Sequence, residues 1–516
     1  MKVAHLPALC VLLLSSSLHA DVLSEAAQRI DATLEQEFQG WGPKVGLTQL
    51  PGPVNDAAFL RRACIDLAGR LPTSAEVQAF VSSDRPDKRI RMADALISEP
   101  GAEDVRFQML AEALRVKDEV GGQSQDRFIQ WLRQAVSRDE PLDKVVNALL
   151  SATEPVDQNP AAAFLERDGG NDLQTASAAT MAFLGIDLHC AHCHDHAFSD
   201  VTQRQSHELA AHFAALRGRE VHLPKRYLYR NGIPGELVRP RLSELDGTPE
   251  PTPHMTLAEW FTSAKNRRFS AMSAYRVWVR LFGLSATTTD RTIGGVDDAV
   301  PYYQETPGFL AQNYYKSCFQ GFEGRGLQLY EYVGLELPEP ANPSSALDVL
   351  SQEWRRCGGR VREFQRILVR TRAYHRESFH WHPYASSFLN PSPRVRRLPS
   401  EVIWDTLAMN QPSMMPSARL VQVPSREHPL RLFGRGARNW TDESVTPVSH
   451  ELVRFMMNSP LVESSALAMP NSSVEQLFLT LLARPPSEHE KASASEASQA
   501  DVAWALLNTS EFMFRP

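Results

Sequence analysis

Cysteine is scarce in this chain, with six among 516 residues. That excludes a disulfide-dense scaffold and makes any clustered pair of thiols conspicuous. Long apolar runs are missing too. Past the N-terminal segment none approaches the ~18 residues that a membrane-spanning helix requires, so no membrane span is expected in the mature chain. Positive charge is not in surplus: 54 Lys and Arg face 61 Asp and Glu, giving a net charge of −7 with the signs interspersed. A general nucleic-acid binder would show a basic face, so no nucleic-acid partner is expected. The short cluster Arg394-Val395-Arg396-Arg397 reads as a solvated or ion-paired turn. A Gly-rich phosphate loop, a GxSxG elbow and an HExxH helix are all absent, which disfavours nucleotide enzymes, serine hydrolases and zincins.

What is present begins with a leader. Met1-Lys2 is followed by an apolar run from Val3 to Leu14 and a small, polar stretch from Ser15 to Ala20, the layout of a secretory signal peptide cleaved near Ala20. The mature protein is therefore expected to be periplasmic or secreted. The length suggests about two to four domains. Helical periodicity dominates, so the fold class expected is mainly α, with two multi-helical parts and one short β-hairpin-like segment near 227–238. The expected layout is a signal peptide at 1–20, an N-terminal helix and linker at 21–50, a helical domain at 51–220, a β-like linker at 221–256 and a second helical domain at 257–516. Asn55 should cap a helix with Phe59, Leu60, Ala63, Cys64 and Leu67 on its apolar face, and Thr73 to Glu76 reads as a capping box. Pro86 is placed in the first turn of a following helix, and Gly185 ends one that starts at Asp172. Segments 284–344 and 411–447 lack periodicity and read as ordered loops or linkers.

The stretch from Leu188 to His196, Leu-His-Cys-Ala-His-Cys-His-Asp-His, carries the chemistry. It holds two of the six cysteines and four of the sixteen histidines. Cys190, Cys193 and His194 have the CxxCH spacing of covalent haem c attachment, with two thioether anchors and His194 as the ligand to the iron. His196 is a poor second ligand, because on a helical turn it would point roughly 200° away from His194. Met181, His207 and His212 are far enough along the chain to reach the opposite face. An alternative is a zinc site drawn from Cys190, Cys193, His194, Asp195 and His196. A third reading is a CxxC disulfide, though a thioredoxin-like role wants a βαβ context that this helical neighbourhood lacks. Elsewhere, Cys64 reads as a buried hydrophobe and Cys318 with Cys357 as a candidate disulfide. Asp297-Asp298 reads as a turn former before a cation site, and His375, His380 and His382 with Trp381 as the dressing of a helix end before a pocket lining. Trp278 and Trp504 read as core.

Three groups of residues carry a family resemblance. Phe59-Leu60-Arg61-Arg62, the run from Asp66 to Thr73 and Pro86-Asp87-Lys88-Arg89 resemble the opening of the planctomycete-type domain of unknown function 1549. Phe183-Leu184-Gly185 followed by Cys190 to His196 resembles its closing CxxCHDH motif. Asn266, Phe269, Arg276, Trp278, Leu281-Phe282-Gly283, Val296-Asp297-Asp298, Arg396 to Pro399 with Glu401, Arg484-Pro485 and Trp504 to Phe512 resemble its usual companion, domain of unknown function 1553. Tyr275 stands where that companion has Asn. The resemblance implies secretion and an association with cytochromes.

The function expected on these grounds is electron transfer, or redox support of a periplasmic partner, by an exported cytochrome-c-like protein with one haem c. The alternatives are a non-catalytic envelope or scaffold protein with a structural metal site and, more weakly, a hydrolase acting on extracellular polysaccharide. No acid pair stands out to support the last. Whether the chain is an enzyme stays open.

Overall fold

The computed structural model describes residues 8–515 apart from 197–198, 225–234, 246–247, 284–345, 379–390, 410, 422–426, 440, 442–449 and 470–472. Helices follow one another almost without interruption, and the sheet among the described residues amounts to three two-stranded antiparallel pieces. The chain is mainly α, as its periodicity predicts. No helix among the described residues is long and apolar enough to cross a membrane.

The first helix, Ala8–Trp41, runs straight through the expected cleavage position. Beyond Ala20 it buries Leu23, Ala26, Ala27, Ile30, Leu34 and Phe38 at three-to-four spacing and docks on the Ala346–Arg356 and Val361–Leu368 helices. Polar contacts fix that docking. Arg29 meets Glu353 at 2.8 Å, Asp31 accepts the backbone N–H groups of Arg372 and Ala373, and Glu37 accepts that of Ala346 at 2.7 Å.

Asn55 caps the Asp56–Ala63 helix by accepting from the Ala58 N–H. Phe59, Leu60, Ala63, Cys64 and Leu67 are all fully buried, the stripe that the sequence predicts. Burial pushes the Cys64 thiol up to about 12, so it behaves as a small apolar group. The helix widens over Cys64–Ala68 and stops at Gly69, whose φ of 69° suits glycine. Thr73 and Glu76 form the expected capping box on Ser74–Val81. Pro86 lies ahead of the next helix, which spans Lys88–Ile97.

Two hydrophobic cores result. The larger joins helices between Leu23 and Phe282 to those of 346–374. The smaller gathers residues from Leu398 to Phe512 and takes Ile65 and Leu71 from the other end of the chain. The widened turn thus turns Cys64 and Leu67 into one core and Ile65 into the other. Around it, buried charged groups find backbone or ionic partners. Arg61 donates to the carbonyls of Leu481 and Phe512, and Arg62 to those of Tyr374 and Arg376. Asp66, wholly buried, receives Arg515, the Tyr374 hydroxyl at 3.2 Å and Arg396 at 3.5 Å.

Arg394 to Arg397 is therefore neither solvated nor a turn, though Arg396 has the ionic partner that the other half of that reading expects. Arg396-Arg397 forms a short strand paired with Phe514-Arg515. The Arg396 guanidinium closes the C-terminus of the Arg267–Phe282 helix by donating to the carbonyls of Val279, Arg280 and Leu281. Orphan carbonyls there and the negative end of the helix dipole make that site favourable for a cation.

The β-like linker is represented by Val221–Leu223 paired with Glu236–Val238. The turn expected at Arg230 to Ile233 lies outside the described residues, as do Asp297, Asp298, Cys318, His380, Trp381 and His382. Cys357 carries a free thiol. Trp278 is buried, stacked on Phe282 at 3.6 Å, and Trp504 packs against the smaller core.

Candidate functional site

The CxxCH stretch hangs between two packed helices, Asp172–Leu184 and Gln203–Ala215. Asn171 caps the first, accepting from the Gln174 N–H at 3.1 Å, and Gly185 ends it in the left-handed conformation at φ 63°. Small residues along this helix, Ala176, Ser177, Ala179, Thr180 and Ala182, are buried. They admit the close neighbour that the sequence suggests. The chain then reverses, and Cys190–His192 forms a single tight turn in which the N–H groups of Cys193 and His194 both point to the Cys190 carbonyl at 3.3 Å. Leu188 and Ala191, three residues apart, are fully buried and anchor the turn. The opposite side is left outward: Cys193, His194 and Asp195 are exposed, and Cys190 is half-buried.

The four histidines divide into two kinds. His189 and His192 face inward, their rings 5.6 Å apart. His189 donates from Nδ1 to Asp187 Oδ1 at 2.6 Å, and its Nε2 meets the Gln174 amide at 3.3 Å. Burial alone would raise the Asp187 carboxyl, but the hydrogen bonds and charge of His189 outweigh it and hold Asp187 below its usual range. His192 Nε2 lies 2.7 Å from the Ser177 hydroxyl. Burial, reinforced by nearby His189 and His207, pushes His192 down to about 4. These two rings form the polar floor of the turn.

His194 faces outward. Its Nδ1 donates to the Asp195 carbonyl at 2.6 Å. A carbonyl oxygen only accepts, so Nδ1 carries the proton and Nε2 is the nitrogen left to bind an electrophile or metal. The residues around His194 and His196 are not helical, and the His196 N–H instead closes a loop onto the Val201 carbonyl at 2.9 Å. The 200° offset expected for a helical turn therefore does not apply.

Cys190 and Cys193 are both free thiols. Burial, followed by the charges of Asp187 and Cys193, raises the Cys190 thiol. A thiol raised in this way is a weak nucleophile, the reverse of what a dithiol oxidoreductase requires. Among the described residues no three side chains of His, Cys, Asp or Glu converge as a group able to hold a metal ion. Cys190, Cys193, His194, Asp195 and His196 thus do not stand as a preassembled chelate. Of the distant candidates, Met181 is buried within its helix. His207 is buried with Nδ1 donating to the Gln203 carbonyl, and burial lowers both His207 and His212.

The sequence did not single out Gln174, Ser177, Asp187 and Gln203. Ser177 and Gln174 sit on the neighbouring helix, and only their three-residue spacing along its inner face could have pointed to a shared role.

Fold and site together define a helical protein with an outward-facing Cys-x-x-Cys-His turn on a half-buried histidine floor. Residues 29–218 match the model of a family, PSCyt2, described as a protein of unknown function (DUF1549). The matched stretch contains the opening and closing motifs that carry the resemblance. No curated protein and no solved structure matches the chain.

Proposed function

We propose that the chain is an exported cytochrome-c-like protein that carries electrons to or from periplasmic redox partners through one haem c attached at Cys190 and Cys193. One observation carries this reading. His194, directly after two free, accessible thiols on a single turn, is hydrogen-bonded through Nδ1 so that Nε2 is presented outward. Cys190 and Cys193 would anchor the group and His194 would ligate its iron from one side. Bound there, the haem supplies reversible one-electron transfer, with a potential set by ligand, burial and hydrogen bonding. Hydrogen bonds between His189 and Asp187 and between Ser177 and His192 hold the inner side of the turn, and the Nδ1 hydrogen bond would orient the ligand ring and raise its basicity.

Expression of the full chain in a host with haem c maturation tests this. The purified protein is expected to show a Soret band and a haem stain that survives a denaturing gel, and Cys193→Ser should abolish the covalent stain. A colourless protein from that host would overturn the reading.

A further inference from the structure

Asp195 is held at both of its ends. Its carboxylate Oδ1 accepts the N–H of Gln203, the first residue of the Gln203–Ala215 helix, at 2.8 Å. Its carbonyl accepts the Nδ1–H of His194 at 2.6 Å. The loop between these anchors is closed by the His196 N–H on the Val201 carbonyl. Gln203 ties back to the turn, its Nε2 donating to the His192 carbonyl at 3.2 Å. Thr202 caps the same helix in a capping box with Gln205, so the anchoring N–H belongs to a well-fixed helix start.

We infer that Asp195 is a positioning residue: its carboxylate, pinned to the helix N-terminus, fixes its own carbonyl where it selects the Nδ1–H tautomer of His194 and presents Nε2. This explains a residue that haem attachment does not require. A carboxylate at a helix N-terminus is favoured by the free N–H groups and the dipole. An imidazole held through one nitrogen has the ring orientation and tautomer of the other decided for it. The inference about tautomer concerns the chain alone. Its consequence for iron ligation rests on the function proposed above.

Two measurements separate those levels. In the full chain without haem, selective ¹⁵N labelling of histidine resolves ring tautomers at fixed neutral pH, and the His194 signals are those lost in His194→Gln. The wild-type protein is expected to show the Nδ1–H form. Asp195→Ala should shift His194 toward the Nε2–H form, and Asp195→Asn, which retains an acceptor for the Gln203 N–H, should restore Nδ1–H. If Asp195→Ala leaves the His194 tautomer unchanged while helical circular dichroism is retained, the inference is overturned. In the haem-loaded chain, Asp195→Ala is expected to raise the midpoint potential without lowering covalent haem content, because a less basic imidazole stabilises the oxidised iron less. An unshifted potential would sink the ligand-tuning consequence. A wild-type protein that takes up no haem would end the proposed function and leave the tautomer experiment to decide Asp195 by itself.

Discussion

Histidines that are neighbours in sequence are not neighbours in role. His189 and His192 are locked into the floor of the turn while His194 is turned outward, and the difference arises from which side of a three-residue turn each occupies. The sequence reveals the cluster, but a pattern of residue types does not say which rings are buried. His375 makes the same point. Read beside His380 and His382 as the dressing of a helix end, it does sit there, Nε2 donating to the Val369 carbonyl at the end of Val361–Leu368, but it is also packed inward on Phe59 with ring centroids 4.9 Å apart. Burial pushes His375 down to about 4. A group with a depressed folded pKa contributes stability that is present above the unfolded value near 6.5 and lost as pH falls through about 4. Glu37 acts in the opposite sense. Its carboxylate is buried, and desolvation raises it from 4.5 to about 7 against the single N–H of Ala346. Its contribution is therefore full below 4.5 and lost as pH rises through about 7. Thermal melts across pH should show His375→Gln weakening the loss between 6.5 and 4, and Glu37→Gln weakening the loss between 4.5 and 7.

Helix starts and stops were the most readable level. The Thr73–Glu76 capping box, the Asn55 cap and the Gly185 stop stand where local chemistry predicts them, because a cap depends on three or four adjacent residues and little else. A helix that buries nothing is harder to read. Glu488–Ala494 has its own capping box from Ser487 and Glu490 yet buries no residue, so no periodicity announces it. Pro460–Ala468, which buries Val462 and Ala466, follows the His450–Asn458 helix after the single residue Ser459, which caps it by accepting the Leu461 N–H. Gly185 offers the sharpest test at this scale. Its left-handed backbone leads directly into Asp187 and the histidine floor. Gly185→Ala is expected to cost about 1–2 kcal/mol in urea unfolding, and Gly185→Asn less, since asparagine tolerates that conformation. Equal losses in the two variants would argue against backbone strain as the cause.

At the scale of the molecule, sequence proximity says little about who shares a core. Helices of 346–374 pack with the N-terminal part, while Ile65 and Leu71 belong to the smaller core with residues 398–512. No periodicity in a single helix carries that information, and the buried arginines that stitch the parts together look, in sequence, like surface charge. Their test is Asp66. Asp66→Asn removes the one carboxylate shared by Arg515 and Arg396, and leaving those charges uncompensated in the interior is expected to cost about 3–5 kcal/mol by urea denaturation. The exposed Lys491–Glu488 pair supplies the control, at about 1 kcal/mol or less. The widened turn at Cys64–Ala68 also has a consequence in time. Its contact with Arg515 closes a loop of 449 residues, and pairings so distant come late, because the loop-closure entropy is lost before the contact rewards it. During synthesis the larger core has most of its residues long before Arg515 emerges. The smaller core, lacking its Ile65 and Leu71 side until the turn is clasped from both ends, is the part of the molecule that finishes last.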